Sequence, residues 1–221
     1  MHDSLGNLIR IEKEIQLKVN QSNLIIKKPK IIAVTKNFLM PKILPLINHG
    51  HVDFGENRVQ DAISKWSDLK HKTSTIKLHM IGKLQTNKVK DFIPLFDYIH
   101  TLDNLKLAEK ISEEQLKKNK SLKIFIQVNL GREAQKSGIL PEQLDTFYEQ
   151  CSNNLGLNII GLMCLPPNDN NPIRHFLEIF ELSKRLKIKD LSMGMSNDYL
   201  EAVETNSTFL RIGSKIFGDR S

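Results

Sequence analysis

The sequence predicts an α/β fold, a (β/α)8 barrel of TIM type with one additional helix on its amino-terminal side. Three observations carry this expectation. Eight short apolar segments alternate with helical patterns along the chain, and such alternation is what a parallel sheet requires. Eight units within 221 residues fit a small barrel near the low end of the usual length. No G-x-G-x-x-G opens the first helical segment after a strand, as a dinucleotide-binding open sheet would suggest. An open, doubly wound sheet is the competing arrangement.

The elements follow in order. SLGNLIRIEKEIQLKV (4–19) places Leu5, Leu8, Ile9, Ile15 and Val19 at helical spacing, so an amphipathic helix opens the chain. A polar linker follows and Pro29 closes it. KIIAVT (30–35) is the first strand candidate, and PKILPLINHG (41–50) is helical with Gly50 as its stop. Further strands are expected at VDFG (52–55), KLHMIG (77–82), YIHT (98–101), LKIFIQVN (122–129), LNIIGLM (157–163), DLSMG (190–194) and FLRIG (209–213). Between them, residues 104–118 carry Leu105, Leu107, Ala108 and Ile111 at helical spacing, and IRHFLEIFELSKRL (173–186) reads the same way. Nothing in 30–218 resembles a linker or low-complexity segment, so residues 1–221 are expected to form a single domain.

Composition narrows the function classes. Hydrophobic residues at 40% and charged residues at 26% describe a globular chain rather than a disordered one. The net charge is +7, which permits phosphate or nucleic-acid partners. The lysines are spread along the whole chain, however, and three Tyr with one Trp offer little for base stacking. No nucleic-acid partner is expected. Cys151 and Cys164 have no metal-type spacing and make no disulfide framework; both read as small core residues. The first residues carry no apolar signal core and no run approaches a membrane span. The expected address is the cytoplasm, with no membrane partner and no metal, and the expected state is a monomer.

Lys36 is the first residue that suggests chemistry. Strand side chains alternate, so Ile32, Val34 and Lys36 share one face. If that face lines a barrel, the amine stands over the core at the carboxyl end of strand one, where barrel enzymes keep their sites. An amine withdrawn from water becomes a nucleophile toward carbonyls; the plain alternative is a lysine reaching into solvent. SMGMSND (192–198) and RIGSKIFG (211–218) each put glycine and a hydroxyl where a strand turns. Ser196 is read as a helix cap, Gly213 as a point of close approach and Ser214 as a hydroxyl donor. Turns after strands seven and eight of a barrel often bind phosphate, although ordinary glycine turns would look alike. Arg211 shares a face with Phe209 and Gly213, so it points inward if Lys36 does. It needs a structural ion pair or a ligand ring nitrogen. Asn57, in GENRVQD (55–61), caps a helix or faces the mouth, and Thr86 and Asn87 start a helix. His79 reads as a satisfied interior histidine, HGH (49–51) as a helix stop, and Lys136 as a loop lysine within reach of the mouth.

Six segments together resemble a known family. AVTK, FGENRVQ, HMIGKLQTNK, KSGI, LSMGMSND and RIGSKIFG occur in the order and spacing of the pyridoxal phosphate homeostasis proteins, single-domain relatives of the barrel half of alanine racemase. The resemblance runs from about Ile31 to Gly218. It implies a modified (β/α)8 barrel that binds pyridoxal 5′-phosphate (PLP). It implies Lys36 as the Schiff-base lysine, Ser196, Gly213 and Ser214 as the phosphate segment, Arg211 facing the pyridine nitrogen, and Asn57 beside the cofactor. It further implies buffering or delivery of PLP, with apo-enzymes as possible recipients, and no catalytic residues. The competing function is an amino-acid racemase. That reaction needs acid–base groups on both cofactor faces, which alanine racemases complete with a β-rich second domain; the chain stops at Ser221, so that domain is expected to be absent. Two departures stand out. Phe38 occupies the place where many relatives have a second lysine, which directs attention to Lys136, and Ser214 replaces a frequent threonine.

Overall fold

The computed structural model describes residues 3–21, 28–133, 135–167 and 169–218. Among them eight parallel strands close in sequence order: β1 (Lys30–Val34), β2 (Asp53–Glu56), β3 (Lys77–Met80), β4 (Tyr98–Leu102), β5 (Lys123–Val128), β6 (Ile159–Cys164), β7 (Asp190–Ser192) and β8 (Phe209–Ile212). β8 returns to β1, with Ile32 opposite Arg211 and Ala33 opposite Ile212. That pairing removes the edges an open sheet would leave and settles the choice between the two architectures. The helices among the described residues are α1 (Ser4–Gln21), α2 (Met40–Asn48), α3 (Val59–Lys72), α4 (Val89–Leu95), α5 (Leu105–Lys118), α6 (Leu144–Glu149), α7 (Pro172–Arg185), α8 (Tyr199–Glu204) and α9 (Ser214–Phe217).

Side-chain alternation divides the core in two. Ile32, Tyr98, Phe125, Met163 and Phe209 meet inside the barrel. Their strand neighbours Ile31, Ala33, Phe54, Leu78, Ile124, Leu162, Leu210 and Ile212 face outward into the larger core under the helices. The interior is also polar: Asp53, His79, His100, Ser192 and Arg211 are all buried. The imidazoles stack on aromatic rings, His79 on Tyr98 at 4.1 Å and His100 on Phe125 at 4.3 Å.

α1 buries Ser4, Leu8, Ile11 and Ile15. The expected Leu5, Ile9 and Val19 are only partly buried, because apolar residues at this density define two overlapping stripes and the packing partners select one. Those partners are α2, α8 and α9. Ser4 Oγ donates to the Lys42 carbonyl at 2.8 Å, Asn7 Nδ2 to the Ile216 carbonyl at 3.0 Å, and the Tyr199 hydroxyl to Glu14. The additional helix therefore fastens the first β/α unit to the last. Part of the expected polar linker, residues 22–27, lies outside the described residues.

The stop of α2, the start of the turn before α4 and the two cysteines are as expected. α2 stops before Gly50, whose φ of +94° suits glycine. Thr86 begins a helical turn leading into α4. Both cysteines are buried, and burial pushes each thiol up to about 12. No group of potential metal ligands occurs among the described residues, and no helix among them is long and apolar enough to cross a membrane.

Candidate functional site

The amine of the sequence reading stands just past β1. Residues 35–38 form a turn in which the Phe38 N–H donates to the Thr35 carbonyl at 3.1 Å. Asn37 takes φ +65°, a conformation Asn tolerates better than most residues. Lys36, half-buried, heads this turn. Beneath it lies a network that sequence reasoning missed. The Glu56 carboxylate, 1% exposed, accepts from Thr35 Oγ1 at 2.7 Å, Lys65 Nζ at 2.8 Å and Trp66 Nε1 at 2.9 Å, all on Oε1. Lys65 Nζ also donates to the Thr35 carbonyl at 2.8 Å. β1, β2 and α3 are thus pinned together directly under Lys36. The one signal in the sequence was an acid at the end of a buried strand, which needs partners.

Lys36 opens onto a cavity of about 900 Å³, within the range of ordinary ligand sites. All six residues singled out from the sequence line it: Lys36, Asn57, Ser196, Arg211, Gly213 and Ser214. They arrive from β8 and from the segments after β1, β2, β7 and β8, and the segment after β6 supplies Leu165, Pro166 and Pro167. The cavity is therefore at the carboxyl rim of the barrel, where the strand ends converge.

Asn57 faces the mouth and is not the cap of α3, a position held by Arg58. Its Oδ1 is buried without a hydrogen-bond partner. Gly82 presses against it, since a Cβ there would lie 2.3 Å from the Asn57 carbonyl oxygen. Arg211 is 5% exposed. It donates through Nη1 to Ser192 Oγ at 2.7 Å and through Nη2 to the Cys164 carbonyl at 2.9 Å. Neutral oxygens hold it rather than the carboxylate of a structural ion pair. Burial pulls its pKa down from the ordinary value, yet a guanidinium remains a cation and only a donor.

The two glycine–serine turns meet as expected, but not through helix ends. α8 begins at Tyr199 and α9 has four residues, so individual N–H and hydroxyl groups, not helix dipoles, define this wall. Ser196 does not cap α8: that helix follows Asp198, and Ser196 Oγ instead accepts the Lys215 N–H at 3.2 Å. At Gly213 an added Cβ would sit 3.3 Å from Val34 Cβ, tighter than the wall accommodates without a shift. Phe38 lines the cavity and packs on Phe217 at 4.9 Å. Lys136 is not among the lining residues; it pairs with Glu133 at 2.8 Å in the loop after β5. His79 is satisfied inside the barrel by Asp53 and His100.

Comparison with known proteins places this barrel in the class related to the amino-terminal domain of alanine racemase. The profile of the family described as "Alanine racemase, N-terminal domain" matches residues 13–221. Among curated proteins, the pyridoxal phosphate homeostasis protein of Haemophilus influenzae is 35% identical over 225 residues, covering 97% of this chain and 95% of the relative. Among solved structures, PipY of Synechococcus elongatus without PLP superimposes with TM-score 0.84 at 30% identity, covering 96% of this chain and 99% of that one. PipY with PLP bound gives 0.79 at 30% identity, with 94% and 100% covered. The chain belongs to the pyridoxal phosphate homeostasis protein family.

Proposed function

We propose that this protein holds PLP in the barrel mouth as a Schiff base on Lys36, and buffers or delivers that cofactor within the cell. The observation that carries this reading is the convergence of Lys36, Asn57, Ser196, Arg211, Gly213 and Ser214 on one cavity. When bound, the cofactor supplies an aldehyde carbon open to amine capture and an electron-withdrawing ring. Lys36 supplies the amine. Arg211, able only to donate, favours a ring nitrogen that carries no proton. The hydroxyls of Ser196 and Ser214 suit phosphate oxygens, and the missing side chain at Gly213 leaves room for them beside Val34. Asn57 Oδ1, buried and unpartnered, suits a donor on the ligand, because an unpaired buried acceptor is costly.

The same reading makes residues 1–221 a single cofactor-binding domain, monomeric and cytoplasmic, with apo-enzymes as recipients and no nucleic-acid partner. It also makes the protein a poor catalyst. A racemase needs a second acid–base group across the cofactor. Tyr98 lies in the barrel interior, Tyr199 is bonded to Glu14, and neither these nor Tyr148 line the cavity.

Absorbance spectra before and after borohydride, with mass mapping of the modified lysine, test the reading. Fixation at Lys36 and its loss in Lys36→Ala are expected; fixation chiefly elsewhere refutes the assignment. On the same loaded sample, α-proton exchange of amino acids into deuterated water should be negligible. Exchange near typical turnover of about 10 s⁻¹ that depends on Lys36 would favour a racemase-like enzyme.

A further inference from the structure

Behind Arg211 a line of buried polar groups runs through the barrel to its opposite end. Ser192 Oγ, which takes the Arg211 donor at 2.7 Å, lies 2.8 Å from His100 Nδ1. His100 Nε2 lies 3.0 Å from His79 Nδ1, and His79 Nε2 lies 3.0 Å from Asp53 Oδ1. Ser192, His79 and His100 are each 0% exposed. The five residues come from β8, β7, β4, β3 and β2. Asp53 stands at the first residue of β2, away from the mouth, and is not among the residues lining the cavity.

The chemistry of the two ends sets the direction of every bond between them. A guanidinium can only donate and a carboxylate can only accept. Arg211 therefore donates to Ser192. The Ser192 hydroxyl then donates to His100 Nδ1, His100 donates from Nε2 to His79 Nδ1, and His79 donates from Nε2 to Asp53. This assignment satisfies each group with neutral imidazoles, both protonated on Nε2. Reversal at any link would set two donors or two acceptors against each other, or leave a buried hydroxyl unpaired. Burial keeps both imidazoles below their usual pKa, His100 well below. Burial also pushes the Asp53 carboxyl up, but its bond to His79 and the charge of Lys30 outweigh this and hold it below the usual range. The buried cation and the distant anion are thus joined by four aligned bonds that polarise one another.

The geometry points to Ser192, His100, His79 and Asp53 as positioning residues that act on the mouth through Arg211. The chain fixes the guanidinium by committing the Ser192 hydroxyl proton to His100, so that an oxygen lone pair faces Arg211. It offsets the cation without setting a carboxylate in hydrogen-bond contact with the guanidinium, whose bonds go to the Ser192 hydroxyl and the Cys164 carbonyl. Asp198, which lines the cavity, acts on it only as a nearby charge, and Arg211 is left available to a ring nitrogen. It is not a path for protons out of the site, because the Arg211 guanidinium does not release a proton. It favours ligands that present a neutral ring acceptor at this point. The last statement rests on the PLP reading above; the direction of the bonds does not.

Two measurements separate these claims. Long-range ¹H–¹⁵N correlation of the histidines in the ligand-free protein should show His79 and His100 with Nε2 protonated and Nδ1 bare at neutral pH. A proton on Nδ1 of either ring, or a doubly protonated ring, overturns the chain whatever the ligand. The second measurement compares binding of PLP with that of its analogue carrying CH in place of the ring nitrogen. Ser192→Ala should weaken PLP about tenfold, the worth of one hydrogen bond involving a charged group, and leave the analogue nearly unchanged. Asp53→Asn should shift the ratio in the same direction by less, at a residue that does not line the cavity. Equal losses for both ligands would mean that these residues only support the fold, and would overturn the proposal. If the wild-type protein bound neither ligand, the PLP reading would fail while the nitrogen spectra still judged the chain.

Discussion

Glu56→Ala tests the network under Lys36. The substitution removes one acceptor that serves Thr35, Lys65 and Trp66. Trp66 is fully buried and the Lys65 side chain is 15% exposed, so neither donor recovers full hydration. Breaking a buried ion pair from one side costs about 3–5 kcal/mol, and an orphaned indole N–H adds about 1–3 kcal/mol. Water entering the vacated space serves both donors, so the terms do not add, and a loss of about 4 kcal/mol is expected. Domains of this kind hold about 5–15 kcal/mol in total, so the variant still folds. At about 2–4 °C per kcal/mol for a chain of this length, its melting midpoint should fall by about 8–16 °C. Glu56→Gln keeps the volume and one oxygen, and should lose about 1–2 kcal/mol. Urea unfolding is the assay, followed by circular dichroism and by the emission of the single tryptophan, Trp66, which sits at the perturbed contact. A loss under about 1 kcal/mol for the alanine variant, or equal losses for both variants, would show that the carboxylate is not what holds this corner. Borohydride capture at Lys36 should also slow in the alanine variant while it is still folded, since the turn bearing the amine hangs on Thr35.

Two further outcomes follow from the geometry. Ser196→Ala with Ser214→Ala should weaken PLP more than pyridoxal, by about 1.5–3 kcal/mol for each lost bond to the phosphate; an equal loss for both ligands in a titration would remove the phosphate role. Lys120, whose pKa burial and the neighbouring Lys70 lower to about 8, binds fewer protons folded than unfolded between that value and the ordinary lysine range. The folded state is therefore penalised below about pH 8 and relieved as pH rises. Lys120→Met should stabilise at pH 7, with the gain shrinking toward pH 10, as chemical denaturation across that window will show.

The residues that were legible in the sequence are those whose chemistry conflicts with their setting. Lys36 ends a run of β-branched residues and Arg211 interrupts an apolar strand, so each demanded a reason without any knowledge of neighbours. The Glu56 network and the His79–His100 contact were not legible. Apart from the buried acid Glu56, their members are unremarkable in their own segments, and they meet only once the barrel sets β1 beside β2 and β3 beside β4. Ser196 is not the cap that a serine after a glycine turn suggests: α8 starts three residues later, and the hydroxyl accepts the Lys215 N–H instead. In α1 the pattern gave a helix but not its face, because Ile11 and Ile9 are equivalent until α8 and α9 are in place.

The fastening of α1 onto α9 has a consequence for synthesis. Asn7 and the Ile216 carbonyl it binds are separated by 209 positions, and β1 waits nearly as long for β8. At about 5–20 residues per second, a ribosome needs on the order of ten to forty seconds to supply the second partner after the first has emerged. Through that interval the stripe of Leu8, Ile11 and Ile15 has no cover from α8 or α9, and β1 presents an unpaired edge next to β2. Contacts of such high sequence separation form late and slowly, so the nascent chain carries a sticky helix and an open strand at its leading end. A messenger truncated ahead of Phe209 would make that condition permanent, and its product would be a substrate for chaperones and proteases rather than a smaller barrel.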